Sequence, residues 1–434
     1  LFSQELSLEN RVDRLIEPLV RDNLISGTVL IGKGDRILFQ KGYGPANREW
    51  DMANSGDTVF RLGSVSKQFT AMGILILAEE GKIRLDDPLS KYIEGFPNGD
   101  RIPLHTLLNH TSGVANYNQI KEYGEMLIRD MSIDQVIDWF KNEPPVGGPG
   151  EKFSYSNSGY VLLAAVIEKV SGRKYEEFLN EKIFKPLKME RTGQDVFEHL
   201  VRHRADGYAC YDGEIINAPY RNLPFTSGAG SLCSTVEDLF KWTRGVLDHK
   251  VIGAELSEKM FTPGQGNYGY GWFIRERFGR KLMEHAGAIN GFGTQVQLFP
   301  QDDVVVISLY NFESAFQRRV DESLGAIALG LPTQEFYFPQ GCAVSDTDFD
   351  RFSGTYSLDE KNSFTIVRSA GKLSARFSDG REYRCLPQSP DVLLIKELHM
   401  VIQPVSRKEG AYDRLLISTG LHRFMVERVK SEIP

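Results

Sequence analysis

The chain has 434 residues, of which 41% are hydrophobic and 25% are charged, and its formal net charge at pH 7 is −7. This length is too great for one ordinary core, so we expect one large and one small domain. The acidic balance argues against nucleic acid or an anionic membrane as the main partner, because both require a basic surface.

The N-terminal part of the chain predicts an amphipathic helix, a hairpin and a buried helix. Leu6–Asn23 has the helical period, and Thr28–Gly32 and Arg36–Gly42 have strand patterns joined by a short turn. Ser66–Glu80 is apolar on nearly every face, which is typical of a buried helix. Further helices are expected at Thr106–Asn109, Ile133–Asn142, Tyr160–Val170 and Tyr175–Ile183.

The remainder of the large domain combines a helix with a sheet. Thr235–Leu247 is expected to form a helix that is capped by Ser234 or Thr235. A last helix is expected at about Ala315–Leu329. Between them, runs of Val and Ile predict strands at Tyr268–Arg275, Lys281–His285, Thr294–Phe299 and Val304–Leu309.

A change of texture near the C-terminus predicts a second domain. Residues 331–347 have no period and contain two prolines, so we expect a linker between a domain at 1–330 and another at 348–434. Short strands at even intervals, separated by Gly, Asp and Ser turns, indicate a small antiparallel barrel. These strands are expected at Ser363–Arg368, Lys372–Phe377, Tyr383–Leu386, Val392–Ile395, Met400–Pro404, Arg414–Ile417 and His422–Val429.

Apolar runs and the first residue bear on location. No segment reaches the roughly 18–20 consecutive apolar residues of a membrane span, so no span is expected. The chain begins at Leu1 and not at Met, so we expect that a signal peptide or an expression tag has been removed. Export to the periplasm or the outside is therefore favoured over a cytoplasmic location.

Cysteine and histidine spacings give no sign of a metal or a cofactor. The four cysteines are widely spaced, which predicts mostly free thiols and leaves open one disulfide in an exported protein: Cys210, Cys233, Cys342 and Cys385. His199 and His203 are four residues apart on a helix candidate, with Glu198 beside them. Zinc hydrolases place a glutamate directly after the first histidine, so we interpret this as a chance surface pair.

The first chemical motif is Ser64-Val65-Ser66-Lys67, an S-x-x-K pattern that also occurs at Ser171–Lys174 and Ser369–Lys372. Ser64 differs from the other two because it opens the buried helix, where free backbone N–H groups and the helix dipole favour a nucleophile. Lys67 lies one turn further on and can reach Ser64. An apolar environment pushes a lysine toward neutrality, so that it can accept a proton.

The second motif is Tyr155-Ser156-Asn157, a Y-x-N pattern that also occurs at Tyr220–Asn222. Tyr155 is preferred because a Gly-rich loop precedes it and a helix follows, so its side chain can face a cleft. We expect the nearby lysine cation to favour the phenolate of Tyr155, which would then carry protons between nucleophile and leaving group. Asn157 offers both a donor and an acceptor, to a substrate amide and to Lys67.

The third motif is His285-Ala286-Gly287, the one H-x-G in the sequence, at the end of a predicted strand. Glycine there lets a substrate approach the backbone closely. We expect the N–H groups of Ala288 and Ser64 to form an oxyanion hole. A structural, partly buried histidine is the alternative.

Taken together, the three motifs resemble those of the β-lactamase-related serine hydrolases, which include class C β-lactamases, D-Ala-D-Ala carboxypeptidases, D-aminopeptidases and esterases. Three further segments typical of this family are Phe60–Gly63, Leu107–Gly113 and Ser227–Gly230. The resemblance implies an α+β fold: an antiparallel sheet flanked by helices, with a helical subdomain. The C-terminal part is similar to the lipocalin-like barrel of some archaeal and bacterial members.

The resemblance also implies roles for individual residues. Ser64 would be the nucleophile, and Lys67 and Tyr155 would share the general-base and general-acid work. Substrate binding would fall to Asn157, His285 and Gly287, with no metal and no cofactor. Class C enzymes have K-T-G where this chain has H-A-G, so recognition of a substrate carboxylate should be weak unless an arginine elsewhere supplies it.

The sequence leaves four functions open, each of which involves a small molecule or a short peptide. The preferred one is a peptidase or amidase on small D-residue peptides or amides. A carboxylesterase on short acyl esters and a class C-like β-lactamase or D-Ala-D-Ala carboxypeptidase are alternatives. Least favoured is a ligand-binding or sensor protein without turnover. The barrel could cover the cleft or build a homo-oligomer.

Overall fold

The computed structural model describes residues 6–196, 198–211, 214–333, 350–359, 362–369, 372–398, 400–408, 410–419 and 423–429. Residues 334–349, which hold most of the expected linker and Cys342, lie outside this part. Within the described residues, no helix combines the length and the apolar character needed to cross a membrane.

Six antiparallel strands form the central sheet of the large domain. The strands of this domain are β1 (Gly27–Lys33), β2 (Arg36–Tyr43), β3 (Pro45–Asn47), β4 (Met52–Ala53), β5 (Phe60–Arg61), β6 (Gly193–Gln194), β7 (Tyr208–Tyr211), β8 (Glu214–Asn217), β9 (Leu232–Ser234), β10 (Phe273–Arg277), β11 (Arg280–Ile289), β12 (Phe292–Phe299) and β13 (Val304–Tyr310). The central sheet has the order β10-β11-β12-β13-β1-β2, and the other strands form small separate sheets.

Helices cover both faces of this sheet. They are α1 (Leu8–Arg21), α2 (Ser66–Glu79), α3 (Leu104–Leu108), α4 (Tyr123–Met126), α5 (Ile133–Phe140), α6 (Asn157–Ser171), α7 (Tyr175–Leu179), α8 (Val236–Leu247), α9 (Ala254–Met260) and α10 (Gln317–Ala328). Helices α1 and α10 share one apolar cluster with one face of the sheet. Helices α2 and α8 belong to the cluster on the other face, which extends into a helical subdomain formed by α3 to α7.

Helix α2 is buried along its length, as its sequence predicts: every residue of Ser66–Leu77 is buried. Apolar side chains on all sides let it pack between α6, α7 and the sheet. Most of its polar side chains take part in hydrogen bonds, although Gln68 Nε2 is buried without a partner. Thr70 donates to the carbonyl of Gly228, and Gln68 accepts from the indole N–H of Trp242.

Most predicted elements match to within a few residues, and three differences concern the site. Ser64 does not cap α2 but lies in a 3₁₀ turn, Gly63–Val65, that leads into it. Helix α6 starts at Asn157, before the predicted Tyr160, because Ser156 caps it by accepting from the Gly159 N–H. Strand β11 runs on to Ile289, so the third motif lies inside a strand and not at its end.

The C-terminal domain is a closed barrel of eight antiparallel strands, as the sequence predicts. They are β14 (Gly354–Ser357), β15 (Ser363–Ser369), β16 (Lys372–Phe377), β17 (Glu382–Ser389), β18 (Val392–Ile395), β19 (Met400–Lys408), β20 (Ala411–Ser418) and β21 (Arg423–Arg428). The first and last strands pair and close the ring. Its interior holds a core of buried, mainly apolar side chains, Ile366, Leu373 and Leu415 among them.

Two predictions about special residues can be checked. His199 and His203 do not share a helix: His199 lies in a turn, and His203 has a left-handed backbone with φ of 60°. Among the described residues, no cluster of His, Cys, Asp and Glu side chains could hold a metal ion. Cys233 and Cys385 are buried thiols outside any disulfide, which agrees with the prediction for these two.

Candidate active site

Ser64 stands at the junction of a tight turn and the buried helix. Gly63, just before it, has a left-handed backbone with φ of 52°. A Cβ atom at position 63 would come within 2.8 Å of the Ala288 nitrogen, so only glycine lets the Gly63–Val65 turn lie against β11. Ser64 remains half-buried and lines the cleft.

Lys67 reaches Ser64 as its spacing predicts. Its side chain is fully buried, and Nζ lies 3.1 Å from Ser64 Oγ, 2.7 Å from Asn157 Oδ1 and 2.8 Å from the carbonyl oxygen of Ala229. Burial lowers the pKa of Lys67 well below its ordinary value, because the charged ammonium loses its hydration. The structure therefore favours a neutral amine at this position.

The partners of Lys67 fix where a neutral amine would point its lone pair. The Asn157 Oδ1 and Ala229 carbonyl oxygens can only accept, so they take the two N–H groups of a neutral Nζ. Ser64 Oγ is the third neighbour and can also donate. The lone pair of neutral Lys67 is thus directed at the Ser64 hydroxyl, the geometry of a general base.

Tyr155 contacts the same hydroxyl and lines the cleft. Its phenol is hydrogen-bonded to the Ser64 side chain, and its ring centroid lies 4.9 Å from Lys67 Nζ. The expectation that its phenolate would be favoured is wrong. Burial raises the pKa of Tyr155, and this effect outweighs the opposing effect of the hydrogen bond with Ser64, so the phenol stays protonated at neutral pH.

Asn157 is held in one orientation by a second asparagine. Its Oδ1 faces Lys67, and its Nδ2 donates to Asn118 Oδ1 at 2.9 Å. Asn118 is exposed on the cleft wall, and its own Nδ2 donates to the hydroxyl of Tyr123. The amide of Asn157 therefore cannot flip without losing both partners.

The third motif brings a backbone edge, and not a charged side chain, to the site. A Cβ atom at Gly287 would lie 2.0 Å from the Leu62 carbonyl and 2.3 Å from Thr294 Oγ1, so the position admits only glycine. Ala286 and Ala288 are exposed and line the cleft. The Ala288 amide lies against Gly63, next to Ser64, where the oxyanion hole is expected.

His285 lines the cleft but has both ring nitrogens occupied. Nδ1 lies 2.6 Å from the Ala286 carbonyl, which can only accept, so Nδ1 carries the proton. Nε2 then accepts from the Tyr268 hydroxyl at 2.9 Å. Burial lowers the pKa of His285 to about 3, so the ring is neutral at working pH and offers no charge to a carboxylate.

Two partners of Lys67 and Asn157 carry no signal in the sequence motifs. One is the carbonyl of Ala229, in the family-typical segment Ser227–Gly230. The segment approaches α6 closely, since a Cβ at Gly228 would lie 2.2 Å from the Tyr160 carbonyl. The other is Asn118, which no motif marked.

The cleft that contains Ser64 has a volume of about 560 Å³ and carries paired charges. Arg275 bonds Glu284 at 2.9 Å. Arg277 and Arg318 both pair with Glu322, at 2.9 and 3.3 Å. In the described part of the chain, the three arginines that line the cleft therefore all contact carboxylates, and two of them share Glu322.

Comparisons with known proteins show the family and the fold. Residues 12–329 match the family model described as Beta-lactamase. Penicillin-binding protein 4* of Bacillus subtilis (strain 168) is 26% identical, over 94% of this chain and 96% of its own. The octameric penicillin-binding protein homologue from Pyrococcus abyssi superposes with a TM-score of 0.68 at 25% identity, over 97% of this chain and 100% of its own.

One further solved structure that resembles this chain is that of an amidohydrolase. The D-stereospecific amidohydrolase from Streptomyces sp. has a TM-score of 0.62 and 25% identity to this chain. It covers 70% of this chain, and 94% of its own length is matched. The likeness to the Pyrococcus abyssi homologue, over 97% of this chain, includes the barrel as well as the large domain.

Proposed function

Because this chain belongs to the β-lactamase family, whose members are in general serine hydrolases, we propose that it cleaves small D-residue peptides or amides through an acyl-enzyme on Ser64. The observation that best supports this proposal is the arrangement of hydrogen-bond partners around Lys67. The buried amine donates to two oxygens that can only accept, so its lone pair points at the Ser64 hydroxyl. That arrangement is what an activated serine requires.

In the proposed acylation, Ser64 Oγ attacks the substrate carbonyl carbon and its proton passes to neutral Lys67. The negative oxygen formed on the substrate accepts from the N–H groups of Ser64 and Ala288. When the carbon–nitrogen bond breaks, Tyr155 gives its proton to the leaving nitrogen. The proton held by Lys67 then passes to the Tyr155 phenolate. Lys67 Nζ lies 4.9 Å from the centroid of the Tyr155 ring.

Deacylation reverses these roles with water in place of the amine. Water attacks the acyl carbon, and its proton goes to Lys67 or Tyr155, which act as a coupled pair. The second product is the free acid, and Ser64 regains its proton. No metal or cofactor is needed for either half-reaction.

Charge in the cleft supports an uncharged group at the scissile bond. A carboxylate beside that bond would need a cation, but Arg275 already contacts Glu284, and Arg277 and Arg318 already contact Glu322. His285 is neutral. This disfavours terminal D-Ala-D-Ala and β-lactams, both of which carry a carboxylate. The choice of D-residue amides is further supported by the structural likeness to the D-stereospecific amidohydrolase.

The same pairing favours a second candidate, a carboxylesterase on short acyl chains. Simple esters also lack a carboxylate, and alkoxides leave more easily than amines. Turnover of an activated ester would therefore support the nucleophile without identifying the substrate. The choice between amides and esters therefore depends on how the substrates rank by kcat/KM.

The test measures kcat/KM for p-nitrophenyl acetate, a D-alanine anilide, its L counterpart and a penicillin. Ser64→Ala should abolish turnover and the acyl adduct seen by intact-protein mass spectrometry. Ser171→Ala is the matched control, because Ser171 opens a second S-x-x-K sequence remote from the cleft. Activity retained in Ser64→Ala would overturn the nucleophile; a clear preference for the L-anilide or the penicillin would overturn the substrate class.

The assembly state is a separate proposal. The Pyrococcus abyssi homologue is described as octameric, and its likeness extends over 97% of this chain. We propose that this protein also forms a homo-oligomer. Light scattering on the eluted peak of a sizing column would show a multiple of the 49.0 kDa chain, whereas a single-chain mass would contradict the proposal.

A further inference from the structure

His110 is a buried histidine in an unfavourable backbone conformation. Its φ is 61°, in the left-handed region that glycine and asparagine adopt more easily, and its side chain is 1% exposed. A residue chosen for backbone shape alone would be glycine here. Strain that persists in a buried, non-glycine residue points to a requirement for its side chain.

His110 holds the backbone on both sides of Tyr155. The N–H of Ser154 donates to the His110 carbonyl at 2.8 Å. The N–H of Ser156 donates to His110 Nδ1 at 3.1 Å. The residues on either side of Tyr155 are therefore both hydrogen-bonded to a single residue, which restricts the direction in which the phenol leaves the backbone.

The imidazole also packs against the phenol itself. The ring centroids of His110 and Tyr155 are 4.2 Å apart, and those of Tyr268 and Tyr160 lie 4.6 and 5.0 Å from His110. Burial, with smaller effects from Lys67 and His285, keeps the pKa of His110 well below its ordinary value. The ring is therefore neutral, and Nδ1 remains available as an acceptor.

We propose that His110 is a positioning residue for Tyr155, setting the phenol so that it can protonate the leaving group during acylation. This rests on the role proposed above for Tyr155. His110 does not itself line the cleft, and it contacts the cleft wall through Tyr155. Its effect should therefore appear in the step that Tyr155 performs, and not as a uniform loss of activity.

The test compares two acetate esters that give the same acyl-enzyme. p-Nitrophenoxide leaves without a proton, whereas ethoxide requires one, and kcat/KM reports the steps through acylation. His110→Asn keeps an acceptor for the Ser156 N–H and tolerates the left-handed backbone, but it lacks the ring. His110→Phe keeps a ring and lacks the acceptor. Tyr155→Phe sets the upper limit of the effect.

For both His110 variants, kcat/KM for ethyl acetate should fall about tenfold or more relative to that for p-nitrophenyl acetate. A ratio is independent of the fraction of folded enzyme, so partial unfolding of a variant does not mimic or hide the effect. His249→Asn is the matched control, because His249 has the same left-handed backbone, with φ of 54°, but is exposed. Its ratio should be unchanged.

The outcomes separate the two proposals. If Tyr155→Phe changes the ratio and the His110 variants do not, the positioning role is overturned and the role of Tyr155 stands. If Tyr155→Phe leaves the ratio unchanged, or Ser64→Ala remains active, the proposed function itself fails.

Discussion

Lys67 Nζ donates to Asn157 Oδ1 at 2.7 Å, across 90 positions of sequence, and Asn157 is itself held by Asn118. The neutral amide accepts from the amine without adding a charge to the site. Burial lowers the pKa of Lys67, and an uncharged residue at position 157 does not oppose this effect. This relationship can be tested by adding one charge at nearly constant shape.

Asn157→Asp should move the acid limb of the pH–rate profile to higher pH. A carboxylate beside Nζ favours the ammonium form, which raises the pKa of Lys67 from its lowered value and reduces the neutral fraction at each pH. The measurement is kcat/KM for p-nitrophenyl acetate from pH 5 to 10. Exposed Asn23→Asp is the control; an unmoved acid limb would contradict a catalytic role for neutral Lys67.

Gly287→Ala should reduce kcat/KM by about 100-fold or more, because the added methyl group would force β11 away from the nucleophile turn. The atoms it would meet are the Leu62 carbonyl and Thr294 Oγ1, at 2.0 and 2.3 Å. The Leu62 carbonyl belongs to the backbone and cannot rotate away. Gly124→Ala, at a helical position with open space, should be nearly neutral. Full activity in Gly287→Ala would show that the strand edge is not needed.

Asp321→Asn should stabilise the protein above neutral pH. Burial raises the pKa of Asp321 to about 7 from an ordinary 3.8, even though Ser308 and Tyr310 donate to it. Between these two pKa values, the unfolded chain has released a proton that the folded chain retains. The free energy of unfolding of the wild-type protein therefore falls as pH rises through this window.

Urea unfolding at pH 5 and pH 8 measures this effect. The variant should gain free energy of unfolding relative to the wild type at pH 8 compared with pH 5, because its amide does not ionise. An equal difference at both pH values would show that Asp321 ionises normally in the folded protein.

Asp195→Asn should destabilise the domain by about 2 kcal/mol, less than the roughly 3–5 kcal/mol of a fully buried pair, because one partner remains in contact with water. Asp195 is buried and bonds Arg61 at 2.7 Å and Arg204 at 2.6 Å, with the Arg204 side chain 35% exposed. Arg61 lies three residues before the nucleophile. Urea unfolding gives the change; Asp86→Asn, at an 82% exposed carboxylate, should change little.

The elements and the pairing of Ser64 with Lys67 could be predicted because they depend on local sequence. A helix that is apolar on all sides must be buried, and a spacing of three residues places two side chains on one face. The barrel could be predicted for the same kind of reason, since its short strands and turns follow each other at even intervals.

The parts that could not be predicted depend on contacts distant in sequence. The carbonyl of Ala229 reaches Lys67 across 162 positions, and no local pattern marks a backbone acceptor. The pKa of Tyr155 was expected to fall because of a neighbouring cation, but burial affects both groups: it removes the charge from Lys67 and disfavours the phenolate. The bonds of His285 depend on Tyr268, 17 residues away.

The closure of the C-terminal barrel limits how copies of this protein can associate. In the described strands, β14 pairs with β21, so the ring presents no unpaired strand to which a neighbouring chain could add. The core side chains occupy its interior, which leaves the outer surface for contacts. An assembly that uses this domain must therefore be stabilised by side-chain contacts. Substitutions on the outer surface should then dissociate the assembly without unfolding either domain.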